Sequence, residues 1–522
     1  MMVMCWLGEA KDDSHLAFRI MKAWGNVLIA NGLADHNQVI DERYGEKVLN
    51  AVEEMSDPFN LRAWKAVMKC LNRPWWSRVW MVQEFILGKN AMLQCGQNRM
   101  SWRQLSAAAA ISTPEVHDRI GPQEQFNVKA ATMYVQRSLY HASPREDFLL
   151  RDALIVALND NSRRSSTDPR DKVYGVLGLM SASGQSLMQV DYSLSIEEIC
   201  IIVARQSMLV SPHTEKDPIL DLLREAGTSN RAPALLGKIP TWVPDWQKHV
   251  GGGKITNSLP SSKYCATKGS HSDPRFSKDG LTLHVWGAVL DRVSSKFDVF
   301  HPPGQEIRPW VQDEIWKIAG LLGGGEQYPT GITRLEALFR TTTCDIDTFL
   351  QRWNDNLTTV HAYLATFCVE LAEARLKGRG KTGRPSSIQE AVRSEKDMPA
   401  DTGFGSIFSA TSIGLPRFPD DYDFDQGWEM SSRLHTMRGG DPYTQKRCYF
   451  STEKSYLGLG PIGTREGDLI CVLFGSNVPH VLRENNGEYI LIGEAYIHGF
   501  MDGEAMEQLE AGVLVPREFA IK

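Results

Sequence analysis

The C-terminal end of the chain restricts the fold more than any other stretch. Over about the last 75 residues, four short apolar runs alternate with glycine-rich turns: Arg447 to Ser451, Asp468 to Phe474, Pro479 to Arg483 and Glu488 to Glu494. Runs of that length, bounded by turn residues, read as strands. Asn485-Asn486-Gly487, between the last two, marks a type I′ hairpin, because Asn-Gly accepts the positive φ angles that this turn requires. A fifth strand is expected at 281–290, where Leu-Thr-Leu-His-Val-Trp-Gly-Ala-Val-Leu alternates with period two. Together these segments specify an antiparallel sheet or small barrel interrupted by a helical insertion.

The rest of the chain divides by composition. At 522 residues it holds two to four domains. The glycine- and serine-rich stretch from His249 to Ser262 ends a unit, giving a boundary near 250. The expected organisation is a first α/β portion over 1–100 and a helical region over 101–248. A linker with the first barrel strands follows over 249–300, then a helical insertion over 301–440, and the β region over 441–522. Helical periodicity is expected at 310–322 and 335–376. The basic, glycine-interleaved stretch holding Arg375, Lys377, Arg379, Lys381 and Arg384 lacks the apolar residues to build a core and reads as a solvated linker.

With 63 acidic against 57 basic side chains and a formal charge of −6, the chain offers no global attraction for DNA. It has no apolar run of the ~20 residues needed to span a bilayer. No secretory signal precedes Trp6, so a cytoplasmic location is expected. Nine dispersed cysteines without a CxxC pair read as reduced, mostly buried thiols rather than a disulfide or zinc framework. Several apparent motifs fail. Gly458-Leu459-Gly460-Pro461-Ile462-Gly463 has the letters of a dinucleotide fingerprint but precedes a strand instead of following one, and reads as a turn. Gly380-Lys381-Thr382 lacks the first glycine of a phosphate loop, since position 375 is Arg. Asp421, Asp423 and Asp425 have calcium-loop spacing, but Gln426 and Ser432 replace the obligatory glycine and glutamate.

Residues 72–105 describe a helix, strand, helix unit. Trp76, Val79, Trp80, Gln83 and Leu87 fall at helical spacing and are expected on one face. Pro74 suits a first turn, Ala91 to Gly96 reads as a buried strand ending in a turn, and Ser101-Trp102 opens the next helix.

Three blocks here resemble the fungal heterokaryon-incompatibility (HET) domain family. They are Trp6-Leu7-Gly8-Glu9 with Asp12-Asp13-Ser14; Arg73-Pro74-Trp75-Trp76-Ser77-Arg78-Val79-Trp80-Met81-Val82-Gln83-Glu84; and Thr167-Asp168-Pro169-Arg170-Asp171-Lys172-Val173-Tyr174-Gly175 followed by Asp191-Tyr192-Ser193. The run from Thr452 to Pro461, with Gly467-Asp468, is similar to the barrel-like tail that follows this domain. The resemblance implies a partial, TIR-like α/β domain, then a helical region and an antiparallel barrel-like region, α+β overall. It also implies nonself recognition and cell-death signalling through protein partners or self-assembly. The family's earlier strands have no counterpart here, so the expectation is a truncated domain with an unpaired strand edge, and an inactive truncated paralogue is one alternative.

HET domains are thought similar to TIR domains, whose enzymatic members cleave the nicotinamide bond of NAD with a glutamate four residues after a helical tryptophan. Trp80 and Glu84 have that spacing. A carboxylate there would stabilise an oxocarbenium-like state, whereas a helical glutamate is more often an ion pair or cap; a non-enzymatic protein is the preferred expectation. No cofactor or metal is expected, and NAD enters only as a possible substrate. Asp168, Pro169, Arg170 and Asp171 are expected to start a helix with Asp168 as its cap, and Ser195 with Glu198 to form a capping box. Trp242, Pro244 and Trp246 form an aromatic connector. Tyr174, Asp191 and Tyr192 complete the structural motif with Trp6, Gly8, Trp75, Trp76, Arg78 and Gln83.

Overall fold

A computed structural model describes residues 2–33, 44–55, 61–88, 90–109, 164–179, 188–209, 219–230, 237–247, 263–298, 327–332, 334–342, 344–346 and 447–522, with single residues at 111, 137, 140 and 158. The expected helix at 310–322, the basic stretch at 375–384 and the acidic triplet at 421–425 lie outside them. The chain forms two units, one of residues 1–203 with 246–249 and one of 204–245 with 250–522. It therefore crosses between units three times, the last time within the glycine-rich stretch.

The first unit is built on a three-stranded sheet in the order β1 (Met2–Trp6), β2 (Asn90–Cys95), β3 (Asn98–Ser101). β1 and β2 are parallel, and β2 turns back on β3 through Gly96, whose φ of 53° lies in the left-handed region. A parallel pair needs a long crossover. Here it is made by α1 (Ser14–Ala30), α2 (Tyr44–Glu53), α3 (Leu61–Leu71), a 3₁₀ turn at Pro74–Ser77, and α4 (Met81–Leu87). Ala17, Phe18, Met21, Trp24, Gly25 and Leu28 form the buried stripe of α1, where Trp24 meets Trp64 with ring centroids 4.8 Å apart. α5 (Trp102–Ala109) crosses α1 at Gly25, where a Cβ would lie 2.2 Å from the Gln104 carbonyl oxygen. The expected start of α5 is a capping box: Ser101 and Gln104 exchange backbone and side-chain bonds at 3.1 and 3.3 Å.

Two expectations for residues 72–105 require correction. The stretch Trp76 to Leu87 is not one helix with one apolar face. Arg78 is extended and bridges Ser165, breaking the helical run, so Trp76 is buried while Trp80 and Leu87 are exposed. β2 is half-buried rather than buried: Ala91, Leu93 and Cys95 point to the core, and Met92 and Gln94 to the other face.

The second unit is mostly sheet. β5 (Leu283–Asp298) pairs with the short β4 (Arg275–Phe276) and with β12 (Arg517–Ile521), and β12 with β10 (Glu488–Glu494). The path continues through β9 (His480–Asn485) and β8 (Leu469–Leu473) back to β5. These five strands close a ring, which removes the sheet edges that an open array would expose. One join is not antiparallel as expected: β10 and β12 run parallel, through Tyr489 and Ile521. β5 is long enough to serve twice. Its bulges at Val289/Asp291 and Val293/Ser295 turn its second half onto a ribbon of β6 (Arg447–Thr452), β7 (Leu457–Pro461) and β11 (Tyr496–Ile497). β7 is the glycine run read above as a turn. It is a strand because Gly458 and Gly460 leave room for the Phe450 ring, which a Cβ on Gly458 would approach to 2.1 Å. The hairpin at Asn486-Gly487 has φ of 52° and 86°, as a type I′ turn needs.

A buried polar cluster sits in this sheet. Glu494, fully enclosed, accepts from Arg447 at 2.7 Å and from Arg224 at 3.2 Å. Arg224 lies in the 3₁₀ segment Ile219–Glu225, so this pair pins that segment to β10. Beside it, His480 is fully buried, and burial, reinforced by the Arg224 charge, lowers its pKa to about 3 against a smaller opposing contribution from the Val478 backbone.

Candidate functional site

The three motif blocks meet in the first unit, and buried arginines join them. After β1 the chain turns at Gly8, whose φ of 102° is disfavoured for a side-chain-bearing residue. The Arg73 guanidinium occupies the inside of this turn and donates to the carbonyls of Leu7 (3.0 Å), Glu9 (2.8 Å) and Lys11 (3.1 Å). Its planar fork holds donors on two separate nitrogens in a fixed geometry, whereas the donors of a lysine all radiate from one. Arg73 thus holds the first block to the second, and Asp13, itself at a φ of 55°, pairs with Arg62 of α3 at 3.0 Å. That surface pair lowers the Asp13 pKa through its hydrogen bonds.

The second block forms the approach to α4. Pro74 opens the 3₁₀ turn, and Trp76 inserts into the core and donates to the Cys70 carbonyl at 3.1 Å. Trp75, Phe85 and Trp102 stack edge to face. Two further arginines, Arg164 and Arg137, fix the ends of the block. Arg164 donates to the Trp76 carbonyl, while Arg137 donates to those of Phe85 and Ile86 at the end of α4 and lies 5.2 Å from the Phe85 ring centroid. A cation at a helix C-terminus complements its dipole and its unpaired carbonyls.

The third block docks on α4 through α6 (Asp171–Leu177). Gln83 donates to the Tyr174 carbonyl at 3.1 Å, and Gly178 leaves space for the Gln83 amide, which a Cβ would approach to 2.7 Å. Asp168 is not the helix cap expected. The helix begins after Arg170, and the Asp168 carboxylate instead grips Arg170 at 2.7 Å and accepts from its backbone N–H at 2.9 Å. These bonds lower the Asp168 pKa. Arg170 also donates to the carbonyls of Tyr192 and Leu194, while Tyr192 donates to Asp171 at 2.8 Å and Tyr174 to the Asp191 carbonyl at 2.7 Å. The capping box is formed as expected: Glu198 accepts from the Ser195 N–H at 2.8 Å and donates its own N–H to the Ser195 hydroxyl at 3.2 Å, opening α7 (Ile196–Leu209).

Glu84 lies on the outer side of α4, exposed, with Trp80 and Leu87 exposed beside it. Its charge reaches the Cys5 thiol of β1, which burial chiefly pushes up to about 12. Among the described residues Glu84 has no ion pair or hydrogen bond. Two surface hollows are formed by described residues of this unit. One, of about 310 Å³, is lined by Asp12, Asp13, Arg62, Lys65 and Lys69; the other, of about 490 Å³, is lined by Asp168, Arg170, Asp171 and Ser195. Glu84 lines neither. Among the described residues no group of three His, Cys, Asp or Glu side chains is arranged to hold a metal ion, and no helix is long and apolar enough to cross a membrane.

The sequence pointed to every residue of the three blocks but not to how they are joined. Arg137 and Arg164 carry no local signal, because their acceptors are main-chain carbonyls supplied by distant segments.

The barrel and the linked blocks can be set beside known proteins. Residues 429–512 match the Het-6 beta-barrel domain. Over 97% of its length the chain is 24% identical to heterokaryon incompatibility protein 6, OR allele, of Neurospora crassa, 77% of which is covered. No solved structure matches the chain significantly. Together, the domain match and the similarity over most of the chain support a HET-family protein.

Proposed function

We propose that this chain serves heterokaryon incompatibility in a fungus, signalling cell death after nonself contact by assembling with protein partners in the cytoplasm. The similarity to the Neurospora protein supports the biological setting. One observation favours assembly over catalysis: Glu84 stands exposed on α4, whereas the motif residues around it are spent on holding three chain segments together. Such a site presents a rigid surface. The N-terminal unit is read as a partial TIR-like domain on the resemblance of its blocks.

The test is expression in a compatible fungal strain, followed by vital-dye counting of dying fusion cells. Death with the parent chain and with Glu84→Gln, but not with Arg73→Ala, supports a structural signalling surface. Survival with the parent chain removes the reading.

A second reading is NAD glycohydrolysis at Glu84, favoured by the exposed Trp80 four residues before it. In that reading NAD is substrate and no cofactor is held. Purified protein incubated with NAD, against Glu84→Gln, decides: nicotinamide release lost in the variant supports it, and intact NAD in both removes it.

A further inference from the structure

Arg517 opens β12 opposite Gly287 of β5. Side chains alternate along a strand, and Phe519 and Ile521, on the same face as Arg517, are fully buried, so this face lines the inside of the ring. The Arg517 Cζ lies 4.8 Å from the Phe519 ring centroid and 5.5 Å from that of Tyr489, and these two rings meet edge to face at 5.1 Å. Burial raises the pKa of Cys471 on β8, and the Arg517 charge opposes that rise, so the cation is felt across the ring. The Nε and Nη2 atoms of Arg517 are enclosed, and among the described residues neither has a hydrogen-bond partner. Aromatic faces attract a cation, but buried charged donors without acceptors remain costly. The edge formed by Nε and Nη2 presents two parallel N–H groups, the geometry that matches a carboxylate. In three other arginines that edge holds one: Arg483 takes Asp468 at 2.8 and 2.9 Å, Arg62 takes Asp13 at 3.0 and 3.1 Å, and Arg170 takes Asp168 at 2.9 and 2.7 Å. The other charges that reach Cys471 are those of Glu484 and Arg292, which pair with each other at 3.8 Å and leave Arg517 uncompensated.

We infer that the enclosed edge of Arg517 binds the carboxylate of a small organic acid entering the end of the barrel past Tyr489. Arg517 and Tyr489 are half-buried while Phe519 is fully buried, so Tyr489 is the ring on the solvent side of the guanidinium. Turning its side chain outward uncovers Nε and Nη2 and leaves Phe519 in place. The carboxylate then accepts from both nitrogens, as Asp468 does from Arg483. The two rings provide apolar walls for the body of the acid, so a flat aromatic carboxylate fits better than acetate. The site lies within the second unit and is independent of the assembly reading above.

Sodium benzoate is the probe, titrated calorimetrically into the full chain up to about 50 mM, with sodium chloride at matched ionic strength as the blank. A Kd of about 1 mM is expected, with acetate at least threefold weaker. The barrel transition is expected to rise in temperature with benzoate and not with chloride. Arg517→Lys keeps the charge without the two-donor edge and is expected to weaken binding at least tenfold; Arg517→Met is expected to abolish it. Melting in chloride shows whether the variants are folded. If they are not, the arginine Nε–H resonances of the parent decide: benzoate is expected to shift one of them, and a spectrum without a shift overturns the inference. Absence of benzoate binding by the parent overturns it too, as does binding that Arg517→Met leaves unchanged. Phosphate binding as tightly as benzoate shows a site for anions in general and overturns the carboxylate assignment.

Discussion

The Arg73 guanidinium lies inside the turn that follows β1 and bonds the Glu9 carbonyl across 64 positions of sequence at 2.8 Å. With its bonds to Leu7 and Lys11, it replaces the hydrogen bonds that a regular structure would have supplied to this loop.

Arg73→Lys keeps the charge but replaces two donor nitrogens with one, which cannot reproduce the Nη1 contacts to Leu7 and Glu9 and the Nη2 contact to Lys11 together. Hydrogen bonds from a charged donor contribute about 1.5–3 kcal/mol each, and losing two strands their buried acceptors. A loss of about 2–4 kcal/mol in urea unfolding is expected, with limited proteolysis appearing between residues 8 and 13. A change below ~0.5 kcal/mol contradicts the role assigned to Arg73.

Gln83→Ala removes the donor to the Tyr174 carbonyl without disturbing α4. A cost of about 1 kcal/mol is expected, and hydrogen exchange is expected to quicken in residues 171–178 more than in the barrel. Uniform exchange changes across both units contradict that coupling.

Glu494→Gln leaves two enclosed arginines facing a neutral amide. Breaking a buried ion cluster by removing one partner costs about 3–5 kcal/mol. The barrel transition is expected to fall in temperature, and residues 219–225 to become cleavable, because Arg224 no longer has a carboxylate to hold it. A barrel melting as the parent does contradicts the assignment.

His480 makes stability depend on acid in a defined window. Its folded pKa is depressed from 6.5 to about 3, so the unfolded chain binds the proton more readily. Its unfavourable linkage is absent above about pH 6.5. Stability is then lost as pH falls from 6.5 towards 3, by up to ~1.4 kcal/mol per pH unit. His480→Leu is expected to melt at or above the parent temperature at pH 7 and to lose less between pH 6 and 4. If both proteins lose stability equally over that interval, His480 is not the responsible group.

Much of the second unit was legible because its signals are local. The strands near 447, 469, 480 and 488 follow from short apolar runs bounded by turn residues, and the Asn486-Gly487 turn from residues that accept positive φ. The ring closure was not legible, since the partners of β5 are set by pairing far along the chain. Gly458 misled because a glycine that serves a neighbour's ring has the same sequence signature as one that serves a turn. In the first unit the helix opening at Ser101-Trp102 could be read. The break at Arg78 could not, because Ser165 supplies its bridge from outside the segment. Glu84 was correctly placed on a helix, but its exposure depends on how α4 sits on β1 and α6.

β12 inserts between β5 and β10 although more than 200 residues separate Leu283 from Ile521. Of the five staves β12 is the last in sequence, so β5 and β10 keep an unsatisfied edge until it has joined them. Long-range pairings of this kind fold slowly, and this interval is when a chaperone has the most surface to hold.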